Sequence, residues 1–152
     1  MGGKSKKIYE AASQRVAPFI GIVEKVNAVD QAFPSLLALT RDDSCVSHVN
    51  QVESMLESGV RFIQLRSKML TGSSLLDQAR VSADLASQAG AVLIVNDCPE
   101  VAARSGACGV HLGMKDGSPG RACEFLGNSA IIGRTVHSLG EAHLIMEEGK
   151  CD

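Results

Sequence analysis

From residue 35 onward, short apolar runs alternate with segments whose apolar residues recur every three or four positions. The runs read as strands and the periodic segments as amphipathic helices. The first run, residues 35–40, ends at Arg41-Asp42-Asp43, and residues 46–58 read as a helix closed by Gly59. A strand over residues 60–65 leads to a helix over 73–89, with Ser73 or Ser74 as cap and Gly90 as stop. Residues 91–95 and 107–112 read as further strands, followed by helices from about Pro99 and over 119–126. A fifth strand, 130–133, precedes a helix over 138–148, where Ser138 and Glu141 have the spacing of a capping box.

Five strand–helix units at a period of roughly 20–30 residues mark an α/β fold with parallel strands. Two architectures carry that alternation: an open doubly wound sheet, and part of an eight-stranded TIM-type barrel, which runs to about 200–250 residues. No glycine-rich dinucleotide fingerprint follows the first strand, which counts against a nucleotide-binding open sheet. The chain has 152 residues and supplies about five of eight barrel units, and Lys150-Cys151-Asp152 reads as the approach to a sixth strand.

Residues 1–34 follow another pattern. Gly2-Gly3-Lys4-Ser5-Lys6-Lys7 is polar and basic, and then Ile8, Ala12, Val16, Phe19, Ile20, Val23 and Val26 form a helical stripe that Pro18 should kink. An N-terminal helical extension is expected here, docked on its own domain or a partner chain rather than a membrane, because only its first residues are strongly basic. The expected division is therefore an extension over 1–34 and a barrel-type domain over 35–152.

Composition narrows the picture. With 45% hydrophobic residues, no Trp, one Tyr and four Phe, the core must be aliphatic. A net charge of -2 argues against a nucleic-acid scaffold. The five cysteines are odd in number, widely spaced and free of C-x-x-C pairs, so they read as buried or idle thiols of a reducing cytoplasm. No apolar run approaches the roughly 18–20 residues of a membrane span.

The chemistry gathers at strand ends. Val92-Leu93-Ile94-Val95-Asn96-Asp97 and Gly109-Val110-His111-Leu112-Gly113-Met114-Lys115-Asp116 are strand-like runs that end in carboxylates, joined by a short helical segment. That connection makes the strands parallel and puts Asp97 and Asp116 on one rim, where two carboxylates beside the Asn96 amide suit a hard divalent cation and its phosphates. Gln64, Arg66 and Lys68 alternate through the end of the second strand, which lets them share one face as an anion site. Arg134-Thr135 and His137-Ser138 end the fifth strand. His48 and His143 lie in helical segments and read as surface residues, and His111 reads as packed under the rim.

Gln64-Leu65-Arg66-Ser67-Lys68, Val95-Asn96-Asp97, the run from Gly109 to Asp116 and Ile132-Gly133-Arg134-Thr135-Val136-His137-Ser138 together resemble the successive motifs of the thiamine-phosphate synthase family. The resemblance runs from about Leu36 to the C-terminus. It implies a TIM barrel that joins a pyrimidine-methyl diphosphate to a thiazole phosphate, releasing pyrophosphate, in thiamine biosynthesis. It implies Mg²⁺ held by Asp97 and Asp116, and contacts from Gln64, Arg66, Lys68, Asn96 and Thr135 to the diphosphate or pyrimidine. Thr135 stands where the family usually has Ser and keeps the hydroxyl. The family's later phosphate-contacting loops lie beyond Asp152, so a truncated form carrying mostly the diphosphate half-site is expected.

Two other readings stay open. The stretch around His137 is also similar to the thiazole tautomerase relatives, in which a histidine at this place transfers a proton. A non-catalytic binding module is the third, associating through an open strand edge or the N-terminal helix, which could equally make a homo-oligomer.

Overall fold

The computed structural model describes residues 36–148. The expected N-terminal helix with its Pro18 kink, and the approach to a sixth strand, lie outside the described residues.

Ten elements alternate without exception: β1 (Ala38–Leu39), α1 (His48–Glu57), β2 (Phe62–Leu65), α2 (Gly72–Gln88), β3 (Val92–Asn96), α3 (Pro99–Ser105), β4 (Gly109–Leu112), α4 (Pro119–Leu126), β5 (Ile131–Arg134) and α5 (Leu139–Glu148). All strand pairs are parallel and the sheet order is β1-β2-β3-β4-β5. Each strand therefore pairs with its sequence neighbours. Right-handed crossovers in one direction put every helix on the same face, and α1 packs on α2, α2 on α3 and α3 on α4. A doubly wound sheet would instead reverse its strand order at a switch point. The strand order thus selects the barrel-type winding, with the sheet not closed among the described residues.

The strands alternate between two apolar clusters. Ile63, Leu65, Leu93, Val95, Val110, Leu112 and Ile132 face the helices, where Val52, Leu56, Leu76, Ala79, Ala86 and Ala102 meet them. Phe62, Val92 and Ile94 form a smaller cluster on the other face, with Leu37, Cys108 and Ile131 against it. The register aligns Gln64 with Ile94 and Gly109, and Asn96 with His111 and Gly133. Partners in a parallel ladder share a face, so the inner face is apolar in its lower layers and polar towards the C-terminal ends.

Several local expectations change. β1 is only two residues long, and among the described residues it pairs with β2 alone. Helix α2 starts one residue earlier than its serines, at Gly72 after Thr71, with no side-chain cap bond. Ser138 Oγ accepts from the Glu141 amide at 3.2 Å, but the Glu141 carboxylate reaches back to the His137 N–H at 2.6 Å, one residue before the reciprocal position. Of the expected buried or idle thiols, Cys45 is exposed and Cys98, Cys108 and Cys123 are half-buried, and all four are free.

Candidate functional site

Asp97 follows β3 and is held there by its neighbours. Its N–H extends the ladder to the His111 carbonyl at 2.7 Å, and the Cys98 N–H turns back to the Asn96 carbonyl at 2.9 Å. Asp97 adopts φ +65°, the one non-glycine residue among those described in the left-handed region. Asp and Asn are the side chains that tolerate this backbone best, yet it remains a strained choice of the kind that collects at functional sites.

Asp116 reaches the same place from the loop after β4. Its Oδ2 accepts from the Gly113 N–H at 2.9 Å, and its own N–H donates to the Gly113 carbonyl at 3.2 Å. A methyl group on Gly113 would stand 2.6 Å from Asp116 Oδ2 and 3.9 Å from Asp97 Oδ1. A side chain here would crowd the Asp116 carboxylate, while Asp97 at 3.9 Å would stay in ordinary contact. Partial burial raises the Asp97 carboxyl pKa, and the adjoining Asp116, within hydrogen-bonding contact, raises it further; the Gly113 amide and the Arg66 charge act against the rise.

The other rim residues arrange around this pair. Gln64, 3% exposed, donates through Nε2 to Asn96 Oδ1. Thr135 continues the β4–β5 ladder, its N–H bonded to the Leu112 carbonyl at 2.9 Å, and its Oγ1 lies 2.8 Å from His111 Nε2. Burial lowers the His111 pKa, which keeps the ring neutral at pH 7. On the other side of that ring stands Gly133, where a Cβ would come within 2.5 Å of His111 Nδ1.

β2 ends at Leu65, so the alternation expected to carry Arg66 and Lys68 onto one face with Gln64 stops before them. The loop is shaped by the segment after β1 instead: Thr40 Oγ1 accepts from the Arg66 N–H at 3.0 Å, and Asp42 Oδ2 accepts from the Lys68 N–H at 2.7 Å. Arg66 is half-buried and Lys68 exposed. His137 is exposed at the start of the last loop.

Three residues take parts that sequence reasoning did not assign to them. His48 is not a surface residue: it is 7% exposed, with Nδ1 2.8 Å from Thr40 Oγ1 and Nε2 3.1 Å from Asp42 Oδ1. Asp42 accepts hydrogen bonds from the Lys68 amide, the Ser67 hydroxyl and His48, and the first two hold its pKa down at about 2. Arg134 donates to the Gly117 and Met114 carbonyls, the latter at 3.4 Å, and so spans the loop that presents Asp116. Asp42 and Arg134 were both visible as polar residues at strand ends, which was the available signal; His48 had none.

Two apposed carboxylates beside amide oxygens form a hard oxygen-donor set. Among the described residues no group of three or more His, Cys, Asp or Glu could hold a metal. A soft, fully protein-enclosed metal is therefore a poor match for these residues. An ion that takes one or two carboxylates and completes its shell with water and phosphate oxygens fits them, as Mg²⁺ does.

A family model described as thiamine monophosphate synthase matches residues 36–152. Thiamine-phosphate synthase of Marinobacter nauticus is 42% identical over 122 residues, covering 78% of this chain and 55% of that protein. The synthase of Synechococcus sp. strain WH7803 is 38% identical over 108 residues, covering 71% of this chain and 31% of that protein. Among solved structures, thiamine phosphate pyrophosphorylase from Pyrococcus furiosus superposes with a TM-score of 0.67 at 30% identity, covering 74% of this chain and 55% of that one. The chain thus spans about half the length, or less, of these relatives. No helix among the described residues is long and apolar enough to cross a membrane.

Proposed function

Because the chain belongs to the thiamine monophosphate synthase family, we propose that it works in thiamine biosynthesis as a transferase, coupling hydroxymethylpyrimidine diphosphate to a thiazole phosphate with release of pyrophosphate. The apposition of Asp97 and Asp116 at the Gly113 amide carries this reading. Two like charges held together need a countercharge, and a diphosphate with its divalent cation supplies one.

In this reading Asp97 and Asp116 hold Mg²⁺, which when bound neutralises charge on the departing diphosphate. Arg66 brings a positive charge near enough to act on Asp97, and its planar guanidinium suits phosphate oxygens. Lys68 supplies a mobile cation at the exposed side. The Gln64–Asn96 pair keeps one amide fixed by the other, leaving the remaining donor and acceptor to read the polar edge of a pyrimidine. The Thr135 hydroxyl, oriented by His111, donates to a phosphate oxygen. These groups stabilise charge where the C–O bond opens and perform no proton transfer. The small-molecule substrates, a cytoplasmic location and self-association through an open strand edge belong to the same reading.

Calorimetric titration of the chain with hydroxymethylpyrimidine diphosphate tests it. Binding that requires Mg²⁺ and disappears in Asp97→Asn is expected. Equal binding with and without Mg²⁺, or none at all, would overturn the proposal.

A further inference from the structure

We infer that Thr40, His48 and Asp42 are positioning residues that shape the loop Arg66-Ser67-Lys68 from outside the pocket, so that its two cations meet a diphosphate without these three ever touching it. The inference rests on the proposed diphosphate site and adds to it a second set of determinants in the segment after β1 and on α1.

The reasoning begins with the backbone. Beyond Leu65 the loop has left the ladder, and its amides need other acceptors. The Arg66 N–H goes to Thr40 Oγ1 at 3.0 Å, and the single Thr40 hydroxyl proton is within reach of both the Arg66 carbonyl at 3.1 Å and His48 Nδ1 at 2.8 Å. The Lys68 N–H goes to Asp42 Oδ2 at 2.7 Å, and the Ser67 hydroxyl goes to Asp42 Oδ1. Ser67 Oγ in turn accepts from the Met69 and Leu70 amides at 3.1 and 2.9 Å. Four loop amides are thus satisfied by side chains, and two of those side chains stand 26 residues upstream.

His48 joins the two anchors. Its ring lies within hydrogen-bonding reach of Thr40 on one nitrogen and of Asp42 on the other. A carboxylate can only accept, so Nε2 carries a proton towards Asp42, which fixes the ring. Burial of this imidazole at the first residue of α1 is costly unless both nitrogens are partnered, and here both are. A hydrophobic residue would fill the space equally well if the segment served packing alone. The polar chain instead connects helix α1, strand β1 and the loop as one unit.

The test uses three variants. Thr40→Val keeps the volume and removes the hydroxyl, Thr40→Ser restores it, and Asp42→Asn removes one acceptor at the surface, where folding is least exposed to the change. Two readouts are taken: amide hydrogen exchange at Arg66 and Lys68, with Val95 and Val110 as core controls, and the affinity for inorganic pyrophosphate in Mg²⁺. Thr40→Val and Asp42→Asn should exchange faster at their own loop amides with unchanged controls, and should bind pyrophosphate about tenfold more weakly, the size of one lost hydrogen bond to a charged group. Thr40→Ser should restore both. Loop amides as protected as in the parent chain would overturn the inference, and so would unchanged pyrophosphate affinity. If the parent chain itself ignores pyrophosphate, the diphosphate reading fails, while the exchange data still decide whether these residues shape the loop.

Discussion

His111 Nε2 and Thr135 Oγ1 lie 2.8 Å apart across adjacent strands, 24 residues distant in sequence. The hydroxyl is therefore aimed before any ligand arrives. Thr135→Val should weaken pyrophosphate binding about tenfold, whereas Thr135→Ser should stay within about twofold. Titration calorimetry in Mg²⁺ separates the two variants. Equal affinities for both would mean that the hydroxyl is not used.

Asp97→Asn should have opposite effects on the chain alone and on the chain with Mg²⁺. A carboxyl whose folded pKa is raised stabilises the fold below the unfolded value of 3.8 and loses that contribution as pH rises through the folded value. At neutral pH Asp97 therefore works against the fold, and the neutral amide should raise the melting temperature. Asn also accepts φ +65°. Mg²⁺ should raise the melting temperature of the parent chain by mass action and leave that of the variant unchanged. Thermal melts at pH 7 with and without Mg²⁺ check both statements.

Acid should weaken the β1–β2 region selectively. The Asp42 pKa is depressed from 3.8 to about 2, so its contribution is complete above the unfolded value and is lost as pH falls towards 2. Melting curves between pH 5 and about pH 2 should fall less steeply for Asp42→Asn than for the parent.

Gly133→Ala should destabilise the chain by roughly 1–3 kcal/mol, the usual cost of overpacking, because the new methyl would stand 2.5 Å from His111 Nδ1. Urea unfolding measures it. The same variant should weaken pyrophosphate binding by displacing the ring that orients Thr135.

Arg134→Met should loosen the loop from Met114 to Gly117, whose carbonyls the guanidinium bridges. Mg²⁺ affinity should fall about three- to tenfold, by the loss of roughly one hydrogen bond's worth of order. Faster amide exchange at Asp116 would accompany it. Unchanged exchange there would show that the loop holds its shape by itself.

Strand β3 and helix α4 were legible because their signals are local: an unbroken apolar run ending in Asn96-Asp97, and a serine–proline start over Pro119–Leu126. The rim residues Asn96, Asp97, Asp116 and Thr135 were legible for the same reason, since strand ends in parallel sheets are where ligands bind. Their partners were not. His48 sits on a helix whose pattern reads as surface, and its burial depends on Thr40 and Asp42, brought to it by the β1–α1 turn. Arg134 meets carbonyl oxygens, which every residue carries, so no side-chain pattern announces the contact. The short β1 was overextended because an apolar run does not reveal that β2 alone pairs with it among the described residues.

The strictly sequential sheet order has a consequence for how the chain emerges from the ribosome. Every strand finds its partner in the segment made just before it, so no described strand must wait for a distant one. Parallel sheets are usually slow to assemble because they close long loops; here each closure spans a single helix. With synthesis running at about 5–20 residues per second, the anchors just after β1 and the loop after β2 can meet seconds before Asp116 is made. The cation-bearing side of the pocket would then be in place on the nascent chain, ready to receive the carboxylate side as it appears.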